Sequence, residues 1–222
     1  MTTHDSPPCP LCLATDSTVF ANYGDRVYHR CPHCLLTFLA PECLPDAETE
    51  RAEYLTHFNH PDDPGYRHLL SHLVEPLLRH LAPGAQGLDY GCGPGPGATL
   101  SVMLAEQGFP MAAYDPFFAP DAAVLQARYD FITCGETAEH FHLPARDMDR
   151  FDTLLKPDGW LGLMTHWLID DADFAGWRYR RELSHVCFYK PETLRWIAER
   201  YGWGLEFPAR NVALFHKPAV AG

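Results

Sequence analysis

A chain of 222 residues and 25.1 kDa can hold one full α/β domain with a small appendage, but not two large domains. Its hydrophobic share of 46% and charged share of 21% exclude wholesale disorder and fibrous structure, and a formal net charge of -12 argues against broad contact with phosphate backbones. No run approaches the roughly 18 apolar residues of a membrane span. The start, MTTHDSPPCP, lacks the basic and apolar parts of a leader, so a cytoplasmic location without membrane contact is expected.

In chain order the first feature is a pair of CxxC knuckles. Cys9, Cys12, Cys31 and Cys34 form CPLC and CPHC with 18 residues between the pairs, a spacing that lets four thiolates meet at one tetrahedral Zn2+. A four-thiolate shell leaves no open position, so the ion is expected to be structural. The remaining cysteines, Cys43, Cys92, Cys134 and Cys187, are scattered singly, the pattern of a reduced protein with one metal site. Short strands are expected at 18–23 and 35–39, making 1–44 a small zinc ribbon. Between Cys9 and Cys34 the only Lys or Arg residues are Arg26 and Arg30, with Asp16 and Asp25 to face them, which suits a folding or lid module better than a grip on nucleic acid.

Residues 45–82 read as a helical linker or lid. A polar helix at 46–58 is stopped by the Pro/Asp/Gly cluster of 59–65. A second helix, 66–81, carries Leu69, Leu70, Leu73, Leu77, Leu78 and Leu81 at intervals of three and four, so one face is expected to be buried, with Pro76 as a candidate kink. If 57–66 is a lid, His57, Asn59 and Tyr66 face the ligand; a plain turn between two helices has the same composition.

The third part, 83–222, alternates apolar runs with helical stretches, the pattern of parallel βαβ units. Strands are expected at 87–90, 111–114, 129–134 and 160–165, with helices at 98–107 and 191–200. Late strands fall near Leu205 and at 212–216. KPDG at 156–159 reads as a turn, and a weak strand at 123–125 is the expected third of the sheet.

LDYGCGPGPG, 88–97, lies between the first of these strands and a helix, the context that raises a glycine-rich match above chance. Gly91, Gly93 and Gly95 allow a tight turn with backbone pressed against a ligand. Asp89 can accept from an amino group, and Asp115, 20 residues past Gly95, can take both hydroxyls of a ribose. The combination fits an adenosyl cofactor or NAD. A strict GxGxxG needs glycine at 96, where Pro96 stands, which disfavours a dinucleotide.

LDYGCGPG, the acid Asp115, YDFITCGETAEH and LLKPDGWLGLMTH together resemble the class I S-adenosylmethionine-dependent methyltransferases over residues 66–217. The preceding ribbon is similar to that of sugar C-methyltransferases and uncharacterised relatives. The resemblance implies an α/β, doubly wound, mostly parallel, seven-stranded Rossmann-like sheet with S-adenosyl-L-methionine as cofactor. Asp89 and the 91–95 turn would hold its methionine end and Asp115 its ribose; Cys92, Pro116 and Glu136 complete the expected cofactor set. The family's usual acid after the third strand has no clear counterpart here, Asp121 being a weak candidate.

Ligands of open α/β sheets bind outside the carboxyl ends of the strands, which here places 91–95, Asp115, Cys134, Gly135, Glu136, Thr165 and His166 around one crevice. Methyl transfer is an in-line displacement, so a base is needed only where the nucleophile must lose a proton. Glu136 and His140 are four apart, expected on one helix face with Glu139 beside them; they either act as base or merely position the cofactor. In WRYRRELSHVCFYKPET, 177–193, His185 and Tyr189 are the polar candidates. Arg178, Arg180 and Arg181 either bind an anionic acceptor such as a nucleotide-linked sugar or form a solvated face pairing with Asp170, Asp171 and Asp173. The catalytic candidates are thus His140, Glu136 and His185, and the expected activity is methyl transfer to a small molecule. The alternatives are an RNA or protein methyltransferase that reads its substrate through the ribbon, and a non-catalytic module that kept the cofactor fold.

Overall fold

The computed structural model describes residues 6–57, 59–95 and 98–219. Pro96, on which the case against a dinucleotide rests, lies outside them, as does Phe58 at the end of the expected first helix. Three short strands come first, β1 (Thr18–Tyr23), β2 (Arg26–Arg30) and β3 (Thr37–Leu39), then helices α1 (Ala47–Tyr54) and α2 (Pro64–Leu78). Each helix starts on an aspartate that accepts from the first turn: Asp46 from the Thr49 amide and Asp63 from the Tyr66 amide, both at 2.8 Å. Pro76 sits in the last turn of α2, which ends two residues later.

The remaining elements are β4 (Gly87–Tyr90), α3 (Thr99–Glu106), β5 (Met111–Tyr114), β6 (Tyr129–Gly135), α4 (Pro144–Leu154), β7 (Leu155–Met164), β8 (Cys187–Phe188), α5 (Pro191–Tyr201), β9 (Gly204–Ala209) and β10 (Val212–His216). The large sheet has the order β5-β4-β6-β7-β10-β9. Its first four strands are parallel, and β10 runs antiparallel to both neighbours. After β4 the chain goes to one side for β5 and returns to the other for β6, so the sheet has its topological switch, and hence its ligand crevice, at the carboxyl end of β4. Residues 156–159 bulge out between Tyr129 opposite Leu155 and Phe131 opposite Trp160, the expected KPDG turn within one strand.

Among the described residues the sheet has six strands, not the expected seven. Where the edge strand was expected, Ala122–Gln126 is a short 3-10 helix. Asp115 and Ala119 exchange both backbone hydrogen bonds, at 3.0 and 3.1 Å, and Asp121 accepts from the Ala123 amide at 2.9 Å, so the segment spends its polar groups locally and leaves little chain to extend. Asp121, the weak candidate for the acid after the third strand, is that cap.

On one face, Leu70, Leu73 and Leu77 of α2 pack with Leu100 and Leu104 of α3 against the sheet. On the other, Phe151 of α4 and Leu194 and Ile197 of α5 cover Leu88, Ile132 and Leu161. This second core continues into a four-stranded antiparallel sheet, β1-β2-β3-β8, whose last strand comes from the far end of the chain. Tyr28, Phe174 and Phe188 close the seam edge-on, with ring centroids 5.0 to 5.8 Å apart. Among the described residues no helix is long and apolar enough to cross a membrane.

Candidate active site

At the carboxyl ends of β4, β5 and β6 opens a cavity of about 440 Å³. Its floor is the turn after β4. Gly91 has φ +79°, and a Cβ there would lie 2.1 Å from Thr137 Cγ2, so only glycine lets the two segments meet. Thr137 answers by donating to the backbone oxygens of Gly91 and Gly135 at 3.0 and 2.9 Å. Gly93, at φ +69°, faces open space with nothing nearer than Asn59 at 3.9 Å. Gly91, Cys92, Gly93, Asp115, Pro116, Glu136 and His140 all line this cavity, and His57, Asn59 and Tyr66 of the expected lid join them.

Asp115 is held rigidly. One carboxylate oxygen accepts from the amides of Phe117 and Phe118 at 2.8 and 3.0 Å, the other from Gly93 at 3.0 Å, which ties the end of β5 to the glycine turn. Asp89 and Gly95 do not line the cavity. Asp89 is buried beneath the turn, accepting from Thr133 and Ser101 at 3.1 and 3.3 Å; burial lifts its pKa to about 6.

The expected helix through Glu136 and His140 is absent. β6 runs to Gly135, Glu136 takes φ +48°, and only Ala138–His140 turns as a 3-10 helix, because Thr137 uses its hydroxyl on the strand end. Glu136 therefore does not steer His140; its nearest ionic neighbour is His166, at 4.0 Å. One Glu136 oxygen is buried without a hydrogen-bond partner, and burial together with the nearby charge of Glu139 pushes its pKa well up. His140 bonds the Ser184 carbonyl through Nδ1 at 3.0 Å, and burial drops its pKa to about 4, so the ring is neutral at ordinary pH. His185 stands behind it, ring centroids 4.8 Å apart, off the cavity wall. Burial opposes its charging, but the Glu182 carboxylate at 3.1 Å and the charge of Glu139 raise its pKa.

The basic segment divides. Arg180 is buried, donates to the carbonyls of Phe174 and Ala175 at 2.9 Å and stacks over Tyr23, so it holds the seam to the small sheet. Asp171 pairs with Arg30 and Lys190 at 3.0 and 2.8 Å instead of with Arg178 or Arg181. Tyr189 is buried and donates to the Ala138 carbonyl at 3.1 Å. Thr165 is buried against Tyr179, at 2.9 Å, and Cys134 is buried in the sheet.

The opposite cavity wall was not expected from the sequence. It comes from Tyr54 of α1, the Phe117-Phe118 pair, and Arg146 and Arg150 of α4. Arg150 donates to Tyr90 at 2.6 Å, which donates to buried Asp147 at 2.7 Å. Glu50 clasps α1 over the site, accepting from Tyr54 at 3.2 Å with His142 at 3.1 Å. Pro144 at the first position and Met148, Phe151 and Leu154 at intervals of three are the signals that would have revealed α4.

The four knuckle cysteines converge, their sulfurs all within 4.8 Å of one another. The two knuckles repeat one another: Leu13 N donates to Cys9 O and Leu35 N to Cys31 O, at 3.0 and 3.1 Å, each leucine in the left-handed region. Such a set of free thiols fits a tetrahedral Zn2+.

A crystal structure of Burkholderia thailandensis 1,6-didemethyltoxoflavin-N1-methyltransferase, with 1,6-didemethyltoxoflavin and S-adenosylhomocysteine bound, is similar at a TM-score of 0.53 and 17% identity, over 89% of this chain and 98% of that one. A SAM-dependent methyltransferase from Archaeoglobus fulgidus is similar at 0.50 and 18%, over 64% and 72%. At such identities the likeness speaks for the fold alone. No curated protein sequence matches the chain. The profile of a family described as a methyltransferase domain matches residues 63–206, well over half of the chain and most of the cavity's walls. The chain therefore belongs to the methyltransferase domain family and is a methyltransferase of the class I fold.

Proposed function

We propose that the protein transfers a methyl group from S-adenosyl-L-methionine to a small-molecule acceptor. The observation that carries this reading is the convergence on one cavity of a glycine floor, the rigid carboxylate of Asp115 and the buried, unpartnered oxygen of Glu136. The 91–95 turn with Cys92 would hold the methionine end, with Asp89 bracing it from below, and Asp115 and Pro116 the ribose, with Phe117 and Phe118 beside the base. When bound, the cofactor supplies an electrophilic methyl on a cationic sulfur. Glu136, whose pKa burial raises, offers a carboxyl whose ionised form that cation would favour. The Nε2 of neutral His140 can accept an acceptor proton, its ring fixed through Nδ1 and backed by His185. Arg146 on the wall favours an anionic acceptor, such as a nucleotide-linked sugar. With Zn2+ on the four cysteines, residues 1–44 serve as a structural ribbon, 45–82 as lid and 83–222 as catalytic domain; a cytoplasmic location goes with this reading, and the net charge opposes an RNA substrate.

Calorimetric titration with S-adenosylhomocysteine tests the cofactor assignment. Micromolar binding is expected, weakened by roughly 1 to 3 kcal/mol in Asp115→Ala through lost charged hydrogen bonds. No binding by the wild type, or an undiminished affinity in the variant, sinks it. Turnover on RNA in preference to a panel of small anionic acceptors would overturn the substrate class.

A further inference from the structure

We propose that Glu139, His140 and His185 form a second metal site, for a divalent first-row transition ion, at the inner wall of the cavity. One ligand atom from each lies within 4.8 Å of the others. Glu139 is 1% exposed, yet neither of its carboxylate oxygens has a hydrogen-bond partner among the described residues. A buried charge with no partner is costly, and here the missing partner has a place to sit. The nearby Tyr179 hydroxyl accepts from the His166 amide at 3.3 Å and shares a hydrogen bond with Thr165 at 2.9 Å, so it has at most one proton for the two oxygens of Glu139.

The imidazoles are set as ligands are. A carbonyl can only accept, so the Nδ1 of His140, 3.0 Å from Ser184 O, and that of His185, 2.7 Å from Tyr179 O, must each carry the hydrogen. That orients both rings by the outer-shell arrangement that metal-binding histidines use, with Nε2 as the ligating atom; on His185 an ion would displace the Nε2 proton now shared with Glu182. Nε2 of His185 is 3.1 Å from half-exposed Glu182, which can supply a further oxygen. Two imidazoles and a carboxylate suit Mn2+, Fe2+, Co2+ or Zn2+ and leave positions open. Since His140 lines the cavity, an open position there would bind an ionisable oxygen of the acceptor. That use rests on the methyl-transfer reading, but the site itself does not. A bound ion takes the His140 lone pair that would otherwise accept a proton.

Mn2+ disfavours thiolates, so it distinguishes this site from the cysteine cluster. The full chain carrying one equivalent of Zn2+, enough for the cysteine cluster alone, is titrated with Mn2+, free ion being followed by electron paramagnetic resonance. One bound Mn2+ per chain is expected, with spin-echo modulation from two imidazole nitrogens, and at least tenfold weaker binding in Glu139→Gln and His185→Ala. Calorimetry with S-adenosylhomocysteine on the same samples reports whether the variants stay folded and whether the cofactor reading holds. No Mn2+ bound by the wild type, or bound Mn2+ without imidazole coupling, overturns the proposal. So do variants that bind Mn2+ as tightly as the wild type. Mn2+ binding without S-adenosylhomocysteine binding leaves the metal site standing and removes the cofactor assignment.

Discussion

Asp89 is 2% exposed, and its two side-chain hydrogen bonds do not offset the loss of water, so its pKa rises from 3.8 to about 6. The folded state thus holds a proton that the unfolded chain has already released. This group contributes stability below pH 3.8 that is lost as pH rises through about 6. His140 works in the opposite sense: with its folded pKa lowered from 6.5 to about 4, stability is lost as pH falls through that window. Asp89→Asn should abolish its own share, raising stability at pH 7 by up to about 3 kcal/mol relative to wild type. Urea unfolding at pH 4 and pH 7 checks this, and an unchanged difference between the two pH values in the variant refutes it. That acid ties β4 to Thr133 of β6 and Ser101 of α3 directly below the glycine turn.

The junction of β4 and β6 depends on one missing methyl. Gly91→Ala meets both a left-handed φ, costing about 1 to 2 kcal/mol, and the overlap with Thr137. We expect a lowered Tm and loss of S-adenosylhomocysteine binding. In a Thr137→Ala background the same change should cost less, since the contacts at 2.1 and 2.6 Å go and only that to Cβ at 2.9 Å stays; equal costs in both backgrounds would show that Thr137 does not set the requirement. This turn was legible in the sequence because glycine spacing follows directly from backbone needs, and β4 to β7 because buried parallel strands leave continuous apolar runs. β8 was not legible: two residues become a strand only through their pairing with β3. The helix expected through Glu136 and His140 satisfied side-chain spacing, but spacing does not report that Thr137 spends its hydroxyl on the strand end. Arg178, Arg180 and Arg181 read alike in sequence. Only packing separates the buried seam arginine from its exposed neighbours.

At the scale of the molecule, the proposed zinc reaches the cavity through the chain itself. β3 pairs Phe38 with Cys187 of β8, and His185 lies two residues before that strand position. Metal analysis of protein purified without chelator should give about one zinc per chain. Its removal should speed amide hydrogen exchange at 184–189 as well as in β1 to β3 and weaken S-adenosylhomocysteine binding. Exchange that quickens only in residues 9–39 would show that the small sheet does not support the site.

That strand order has a consequence for synthesis. β1, β2 and β3 leave the ribosome about 150 residues ahead of β8, a wait of roughly ten to thirty seconds at ordinary elongation rates. Until then the outer edge of β3 has no partner, and Tyr28 lacks Phe174 and Phe188 to cover it. Beyond the pairing of β1, β2 and β3 themselves, zinc on the four cysteines, if it binds as proposed, would hold the nascent segment together during that interval.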